Sequence, residues 1–493
     1  MKKLLLISRV LPLGILMCLM CNDVAGQAVT LTKGNESKDV EDEDVLNSSY
    51  LGGCGSQSYW LTKEDDRGDD WSVYSVDRNM RVKKWLRLPV DENYELVAIA
   101  QDGSVASVIM VDSSSNKRTM VIKFSVDMDS MSLVEGKIDT IGNFALDKGD
   151  RCYVWGAVSG NGDYVGLLTL QQFTKKKQYV AVATMYDRGL EEQWRKEFPV
   201  GSTSCIAVTD QGELLTLGGE REKTAERFLV SVIAAGMGES YAVTVTCDRI
   251  QDMRILNVMG RKMICAGVFS PLESDPEDHL VAGTAMMVFD LDSTNITGFT
   301  LYPFQNEDVA ILQNKKTKKV MRDKVVPMVV PLASTPMPYG AVMAVGHRHL
   351  LRYKNANGTV STTYYAQGIH LVAIDENGGV KWVRNIRRND YEKEEDGLMY
   401  VGLFDESDTV CLLKSECPKY PSDYNIAKEA KEYEMGDKGN LVLYRVAENG
   451  DVMKTTLEQK TKHMLVSAAK CEDGKVLMMT QKGNKSRLVE MGF

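Results

Sequence analysis

The 493-residue sequence has few histidines and lacks the short motifs that mark most metal, redox and hydrolytic sites. Five histidines supply little material for a metal centre, and no Cys-x-x-Cys pair is present, which excludes a zinc knuckle and a thioredoxin-type site. No Gly-x-Ser-x-Gly, His-Glu-x-x-His or glycine-rich phosphate loop occurs. The sequence therefore predicts no cofactor and leaves open whether the chain is an enzyme.

Long apolar runs are also lacking beyond the N-terminus. Lys2, Lys3 and Arg9 form a basic leader around an apolar stretch at 11–20, and small residues follow. This order is typical of a secretory signal peptide, which we assign to residues 1–26. No later stretch approaches the 18 apolar residues of a spanning helix, so no transmembrane segment is expected in the mature chain.

The leader has a second interpretation, in which Cys18 or Cys21 becomes a lipidated N-terminal cysteine. Met17 and Met20 precede these cysteines, where lipoprotein signals usually carry Gly, Ala or Ser, so the lipoprotein form is disfavoured. We expect export to the periplasm or cell surface of a bacterium.

The chain carries a formal charge of −9, and the leader itself is positive. An acidic balance without a basic stripe argues against nucleic acid and against an anionic membrane surface as partners. The remaining candidates are proteins and glycans of the cell envelope.

One pattern recurs along the chain: an alternating apolar strand, a polar turn opened by Asp, and a return strand with Trp. The clearest copies span 371–382, 73–85 and 183–194. The Asp side chain and a following Gly or Asn suit a tight hairpin turn, and the indole can pack between neighbouring sheets. Each copy is accompanied by a second, Asp-Gly-type hairpin, as at 96–104 and 206–215.

Four short strands repeated about every 50 residues are the sequence sign of a β-propeller. We therefore predict an all-β chain with one propeller domain over residues 27–493. Seven outer hairpins are countable, and the C-terminal strand at 486–493 lacks a partner. Pairing it with the N-terminal strand at 28–32 would close the ring, so eight blades are favoured over seven.

Two insertions interrupt this period. Residues 304–367 contain a lysine-rich turn and a proline-rich stretch, and residues 415–440 contain a short helix predicted at 426–433. Insertions on a propeller lie on one rim, where binding residues concentrate.

The segment 315–388 carries a lysine-rich turn, the pair Tyr364 and Tyr365, a strand, and an Asp375-to-Trp382 hairpin. This order resembles a group of uncharacterised secreted proteins from Bacteroidota. The resemblance implies export and a propeller fold but no activity.

The same hairpin is similar to blades of quinoprotein-like propellers and of the outer-membrane assembly scaffold BamB. The adjacent cysteine pair typical of quinoprotein dehydrogenases is absent, and Ala373 stands where a sialidase-type Asp-box has Ser or Thr. The resemblance therefore implies a blade design and no chemistry.

Four sets of residues are candidates for sites. His347 and His349 lie two apart on a predicted strand and could share a metal, and Cys411 and Cys417 are the best disulfide pair. The acidic turn at 64–70 could hold calcium but lacks alternating Asp spacing. The candidate binding-loop aromatics are Tyr339, Tyr353, Tyr364 and Tyr365.

The favoured function is a non-enzymatic binding or scaffolding module of the cell envelope that presents the two insertions to a protein or glycan. The alternative is a carbohydrate-active hydrolase or lyase with acidic residues at the propeller channel.

Overall fold

The chain is almost entirely β-structure in the computed structural model, which confirms the all-β prediction. The described residues are 29–33, 49–54, 57–63, 70–77, 79, 81–91, 93–136, 138–175, 178–198, 203–222, 225–271, 279–314, 324–354, 360–393, 400–418, 432–435, 437–471, 474–482 and 485–493. The leader, most of the acidic turn at 64–70 and most of the helix predicted at 426–433 lie outside them.

The described strands form eight sheets of four or five strands and one sheet of two. The first strand, β1 (Thr30–Lys33), belongs to the last sheet. Sheet 1 contains β2 (Ser49–Cys54), β3 (Gln57–Lys63), β4 (Asp70–Asp77) and β5 (Val82–Asp91). Sheet 2 contains β6 (Tyr94–Asp102), β7 (Val105–Asp112), β8 (Arg118–Asp127), β9 (Ser132–Leu133) and β10 (Asp139–Ala145), with a 3₁₀-helix at Val134–Gly136.

Sheets 3 to 5 repeat this up-and-down order. Sheet 3 contains β11 (Arg151–Val158), β12 (Tyr164–Phe173), β13 (Gln178–Asp187) and β14 (Glu192–Phe198). Sheet 4 contains β15 (Cys205–Val208), β16 (Leu214–Glu222), β17 (Ala225–Ile233) and β18 (Gly238–Thr246). Sheet 5 contains β19 (Arg249–Met259), β20 (Lys262–Ser270), β22 (Gly283–Asp290) and β23 (Asn295–Pro303); β21 (Leu280–Val281) pairs with β24 (Val326–Pro327) in the small sheet.

Sheets 6 to 8 complete the chain, after the helix α1 (Asn306–Leu312). Sheet 6 contains β25 (Val329–Met337), β26 (Gly340–Lys354), β27 (Val360–Asp375), β28 (Val380–Lys393) and β31 (Tyr433–Glu434). Sheet 7 contains β29 (Val401–Glu406), β30 (Thr409–Glu416), β32 (Gly439–Val446) and β33 (Val452–Thr461). Sheet 8 contains β34 (Met464–Lys470), β35 (Val476–Gln481) and β36 (Ser486–Gly492), and β1 pairs antiparallel with β36.

The Asp residues that open the predicted hairpins organise their turns. Asp77, Asp187 and Asp375 each accept the backbone N–H groups of the residues two and four positions further on, at 2.8–3.0 Å. Each carboxylate thereby satisfies two donors that the strands cannot pair. The hairpin assignments made from these turns are confirmed.

The tryptophans on the return strands behave differently from one another. Trp382 is buried between sheets 6 and 7, and Trp194 is partly buried between sheets 3 and 4, as predicted. Trp85 is 50% exposed and lies beside Tyr74, with ring centroids 6.4 Å apart. The prediction of a buried aromatic seam is wrong for this hairpin.

Core packing follows the order of the sheets. Each sheet shares a cluster of buried apolar side chains with the next, and sheet 8 shares one with sheet 1. The last cluster joins Trp60 and Val76 of sheet 1 to Met479 and Leu488 of sheet 8. The first strands of successive sheets also contact each other from sheet 1 through sheet 8.

The predicted insertion at 304–367 is mostly sheet rather than loop. Its later part forms β25, β26 and the first half of β27, which are strands of sheet 6. Pro331 and Pro336 are tolerated in β25 because this strand pairs on one side only. Residues 417–438 separate β30 from β32, and β31 lies within this connection. Within the described residues, no helix has the length and apolarity to cross a membrane.

Candidate functional site

Both insertions are built onto the same sheet. Sheet 6 has strands of 14 to 16 residues at β26, β27 and β28, longer than those of the other sheets. β31 from the second insertion pairs in parallel with β28, and α1 from the first insertion packs on β27 and β28. Gly368 (φ 58°) permits the approach of α1, because a Cβ there would lie 2.6 Å from the carbonyl oxygen of Ile311.

The histidine pair lies at the centre of this region. His347 and His349 face the same side of β26, with ring centroids 4.9 Å apart. His347 is buried, and its Nδ1 lies 3.2 Å from the carbonyl oxygen of Leu312 and 3.1 Å from Oε1 of Gln367. The two imidazoles therefore meet as predicted, but the described part of the chain holds no group of three His, Cys, Asp or Glu side chains suited to a metal.

The histidines continue into a stack of aromatic rings that crosses three strands. His349 lies parallel to Tyr365 with ring centroids 4.7 Å apart, and Tyr365 is stacked on Tyr391 at 5.9 Å. These residues are direct cross-strand partners, a position where ring pairs stabilise a sheet. Burial lowers the pKa of His349, so the neutral imidazole is favoured within the stack.

Tyr391 is the last ring of the stack, and it contacts the ion pair of Glu434 and Lys393. Its hydroxyl donates to Oε2 of Glu434 at 2.7 Å, and Nζ of Lys393 lies 3.0 Å from Oε1 of the same carboxylate. These two contacts lower the pKa of Glu434, and the hydrogen bond to Glu434 raises the pKa of Tyr391 to about 12. Glu434 is thus held as a carboxylate acceptor.

A cavity of about 580 Å³ opens beside Tyr391. Its wall is formed by β31, by the residues that follow β30 and precede β32, and by the residue that follows β33, all at one end of sheet 7. The polar and aromatic lining residues include Tyr391, Tyr433, Glu432, Glu434, Lys438 and Lys462. Aromatic rings beside paired acidic and basic groups suit a polar ligand with an apolar face.

The candidate tyrosines divide between the two ends of sheet 6. Tyr365 belongs to the ring stack, and Tyr364 packs against the cluster that contains Tyr433. Tyr339 lies at the opposite end, at the β25–β26 turn, with Nζ of Lys381 4.4 Å from its ring centroid. Tyr353 pairs with Ser361 in the β26–β27 ladder. The four residues therefore do not form one binding surface.

A buried ionic network lies between sheets 6 and 7 next to the cavity. Arg388 pairs with Asp390, both fully buried, and Asp390 is the backbone partner of Tyr433. Glu416 accepts a 2.6 Å hydrogen bond from the Tyr444 hydroxyl and pairs with Lys454 and Lys414. Burial lowers the pKa of Lys414, against the opposing effect of the Glu416 carboxylate. Asp390 and Glu416 directly precede Tyr391 and Cys417, which line the cavity, so the network adjoins the cavity wall.

A second polar cluster holds α1 on sheet 6. Asp308 accepts hydrogen bonds from Asn385 Nδ2 and the Gln305 backbone N–H, each at 2.7 Å, and lies 3.5 Å from His370 Nδ1. His370 does not join the histidine pair of β26, because it is fully buried against Asp308. Burial acts to raise the pKa of Asp308, and these contacts outweigh it, so the net pKa is lowered from 3.8.

The lowered pKa of Asp308 predicts an acid-sensitive contribution to stability. The ionised carboxylate stabilises the fold fully above the unfolded-state pKa, and the contribution is lost as pH falls through the lower folded-state value. We expect Asp308→Asn to flatten the fall in urea midpoint below about pH 4. Asp147→Asn, at an exposed carboxylate, should keep the full pH dependence. Equal slopes for Asp308→Asn and the parent would contradict the assignment.

The predicted Cys411–Cys417 disulfide is not formed. Six residues of extended strand span about 20 Å, whereas a disulfide requires Cα atoms within about 7 Å. Cys411 packs between sheets 7 and 8, and its Sγ lies 3.5 Å from Oε2 of Glu406. Cys417 packs in a different cluster, with Tyr433 and Met464.

A groove of about 1180 Å³ lies between sheets 7 and 8, at the other end of these strands from the cavity. Glu406 on its floor pairs with Nε of Arg445 at 3.3 Å, and the Arg445 guanidinium lies over the Phe493 ring. On the rim, Asp405 and Lys470 pair at 2.8 Å. The groove is therefore a mixed apolar and ion-paired surface.

Sequence reasoning missed Tyr391, Glu434 and the buried network. One signal was available: Arg387, Arg388, Asp390 and Glu392 place alternating charges in a strand that the hairpin pattern made part of the core. Charges at such positions are retained inside a protein only when they are paired, so they indicate a built polar site.

Comparisons with known proteins give similarity without a family. No protein-family model matches the sequence, and no curated protein matches it. The chain is similar to the β-propeller domain of the Trilobed protease from Pyrococcus furiosus, with 10% identity, 84% of this chain and 98% of that chain covered, and a TM-score of 0.37. It is also similar to an oligogalacturonate lyase from Vibrio parahaemolyticus (8% identity, 94% and 96% covered, TM-score 0.36). A third is a protein of unknown function from Bacteroides caccae (13% identity, 67% and 94% covered, TM-score 0.29). Likeness at this level carries no argument about activity.

Proposed function

We propose that the chain is an exported, eight-bladed β-propeller that binds an envelope glycan without transforming it. Two facts support the ring. Every consecutive pair of sheets shares a core, including sheets 8 and 1, and β1 supplies the fourth strand of sheet 8. In such an arrangement the N- and C-terminal strands complete one blade, and the edge of β36 that would otherwise be unpaired is covered by β1.

The cavity that the second insertion forms at the end of the ring stack carries the binding proposal. β31 supplies Glu434 to the cavity wall, and α1 packs on the same sheet, where the carbonyl oxygen of Leu312 contacts His347 beside the stack. The partly exposed ring of Tyr391 supplies a flat apolar face, and ionised side chains supply hydrogen bonds to sugar hydroxyls.

The electrostatics favour binding over catalysis at this cavity. A general acid needs a raised carboxyl pKa, and glycoside hydrolysis needs one such acid beside a second carboxylate. The pKa of Glu434 is lowered instead, because Tyr391 and Lys393 stabilise its ionised form. The Glu434 carboxylate therefore acts as a fixed hydrogen-bond acceptor for a donor group of the ligand.

The test is a binding measurement on the mature chain, beginning at residue 27, against an array of bacterial and plant glycans. We expect Lys438→Glu/Lys462→Glu to weaken binding of the selected glycan by about tenfold or more, because exposed donors at the cavity are reversed in charge. Lys117→Glu/Lys148→Glu makes the same charge change at exposed sites that do not line the cavity, one between β7 and β8 and one between β10 and β11. This variant should bind the glycan with unchanged affinity. Equal loss in both variants, or an array without any bound glycan, would remove the proposal.

A carbohydrate-active enzyme is the second candidate, and the groove between sheets 7 and 8 favours it. The groove is the larger cavity and is lined by Asp405, Glu406 and Asp451 among other charged residues. Release of reducing ends or unsaturated products from a bound oligosaccharide, abolished by Glu406→Gln, would favour this function over simple binding.

A further inference from the structure

The β26–β27 hairpin extends beyond the rest of sheet 6. β28 follows β27 only as far as the Thr363–Lys393 pair, and beyond it β26 and β27 continue alone to the Lys354–Val360 pair. We call residues 350–354 and 360–363 the arm. No described strand other than its own partner pairs with either strand of the arm in this extension.

Large apolar side chains are exposed on both faces of the arm. Leu350 is 39% exposed, Leu351 is 40% exposed and Val360 is 58% exposed. Leu350 and Leu351 are consecutive in a strand, so their side chains point to opposite faces. A flat protein partner would cover one face only, whereas immersion in an apolar phase covers both.

The arm is also basic within an acidic chain. Residues 324–374 contain no Asp or Glu, and the 304–367 segment has nine Lys and Arg against three Asp and Glu, in a chain of net charge −9. Arg352 and Lys354 are exposed on the same face as Leu350 and Val360. The net negative charge of the whole chain argued against an anionic membrane surface. That sum does not reveal the local excess of basic residues in this segment.

We propose that the arm binds the surface of a bilayer that contains anionic phospholipid. Leu350, Leu351 and Val360 enter the boundary between headgroups and acyl chains, and Arg352 and Lys354 pair with lipid phosphates. Apolar immersion and electrostatic attraction add in this geometry, as they do for interfacial helices. The inference does not rest on the glycan cavity.

The test is flotation of the mature chain with vesicles of phosphatidylcholine alone and of phosphatidylcholine mixed with phosphatidylglycerol. We expect binding to the mixed vesicles, weaker binding to the neutral ones, and a decrease as salt rises. Leu350→Ser/Leu351→Ser and Arg352→Gln/Lys354→Gln should each lower the bound fraction by about tenfold. The control Val134→Ser/Met237→Ser removes two similarly exposed apolar side chains elsewhere and should bind as the parent does.

Depth is measured separately with Leu351→Trp. Its emission should shift to the blue on vesicle binding and be quenched by lipids brominated on the acyl chain. Absence of binding to mixed vesicles, or binding that the arm variants leave intact, overturns the proposal. Soluble polyglutamate or polygalacturonate is also added as a competitor for vesicle binding. If either polymer still displaces the chain when the vesicles are neutral, the proposal is overturned, because the arm would then bind an acidic polymer rather than lipid.

Discussion

Glu416→Ala is expected to lower the free energy of unfolding by about 3–5 kcal/mol. Glu416 is 1% exposed and contacts three partners, namely Lys414, Lys454 and the hydroxyl of Tyr444. Its removal leaves the Lys414 ammonium, itself fully buried, without this carboxylate. The cost is that of a buried charge deprived of a partner rather than of a lost surface attraction. Urea unfolding followed by tryptophan fluorescence measures it.

Glu448→Ala is the matched control. Glu448 and Lys381 form a 2.6 Å ion pair whose side chains are 50% and 28% exposed. Solvent screens such a pair, so its loss should cost under about 1 kcal/mol. Glu416→Gln keeps the shape and one acceptor while removing the charge, and should lie between the two. Equal destabilisation by Glu416→Ala and Glu448→Ala would show that the network is hydrated rather than buried.

Glu416 also illustrates which parts of the molecule were predictable. The hairpins were found because their chemistry is local: Asp375 binds the N–H groups of Asn377 and Gly379, and all three residues are adjacent in sequence. Lys414 is two residues before Glu416 in β30, but Tyr444 and Lys454 come from β32 and β33, up to 38 residues away in sequence. No spacing rule links these two partners to Glu416, because only the assembled sheet brings them together.

The proline content of the segment explains why β25 of sheet 6 was predicted to be a loop. Pro331 and Pro336 gave the segment the appearance of a loop, although an edge strand needs its N–H groups on one side only. The two-residue spacing of His347 and His349 correctly placed them on one face. The ring stack was not foreseen, because Tyr391 reaches Tyr365 through strand register rather than through sequence proximity.

The sequence indicated one segment that lines the candidate cavity but not how that segment pairs in the fold. The second insertion was recognised as an interruption of the period, but β31 within it pairs with β28 from about 40 residues earlier in the chain. Parallel pairing between two strands that β29 and β30 of another sheet separate in sequence leaves no local pattern. The Tyr391–Glu434 contact, which defines the ligand-facing wall, depends entirely on that pairing.

Gly298→Ala is expected to destabilise the chain by about 1–3 kcal/mol or more, because it separates sheets 5 and 6. A Cβ at Gly298 in β23 would lie 1.9 Å from the backbone oxygen of Asn377, in the β27–β28 turn of the next sheet. Backbone on both sides of the contact cannot rotate away as a side chain would. Lys262 of sheet 5 also lies 3.4 Å from the Glu376 carbonyl oxygen in that turn, so the whole contact must move.

Gly219→Ala supplies the control for the glycine substitution itself. Gly219 lies in β16, and a Cβ there would meet no heavy atom within 4 Å. Alanine loses less conformational entropy on folding than glycine does, so this change should be neutral or slightly stabilising. Thermal unfolding midpoints of the two variants compare the same chemical change at an interlocked and an open position. If Gly298→Ala unfolds at the temperature of Gly219→Ala, the sheets do not interlock at this turn, and the close stacking of blades 5 and 6 in the proposed ring would have to be abandoned.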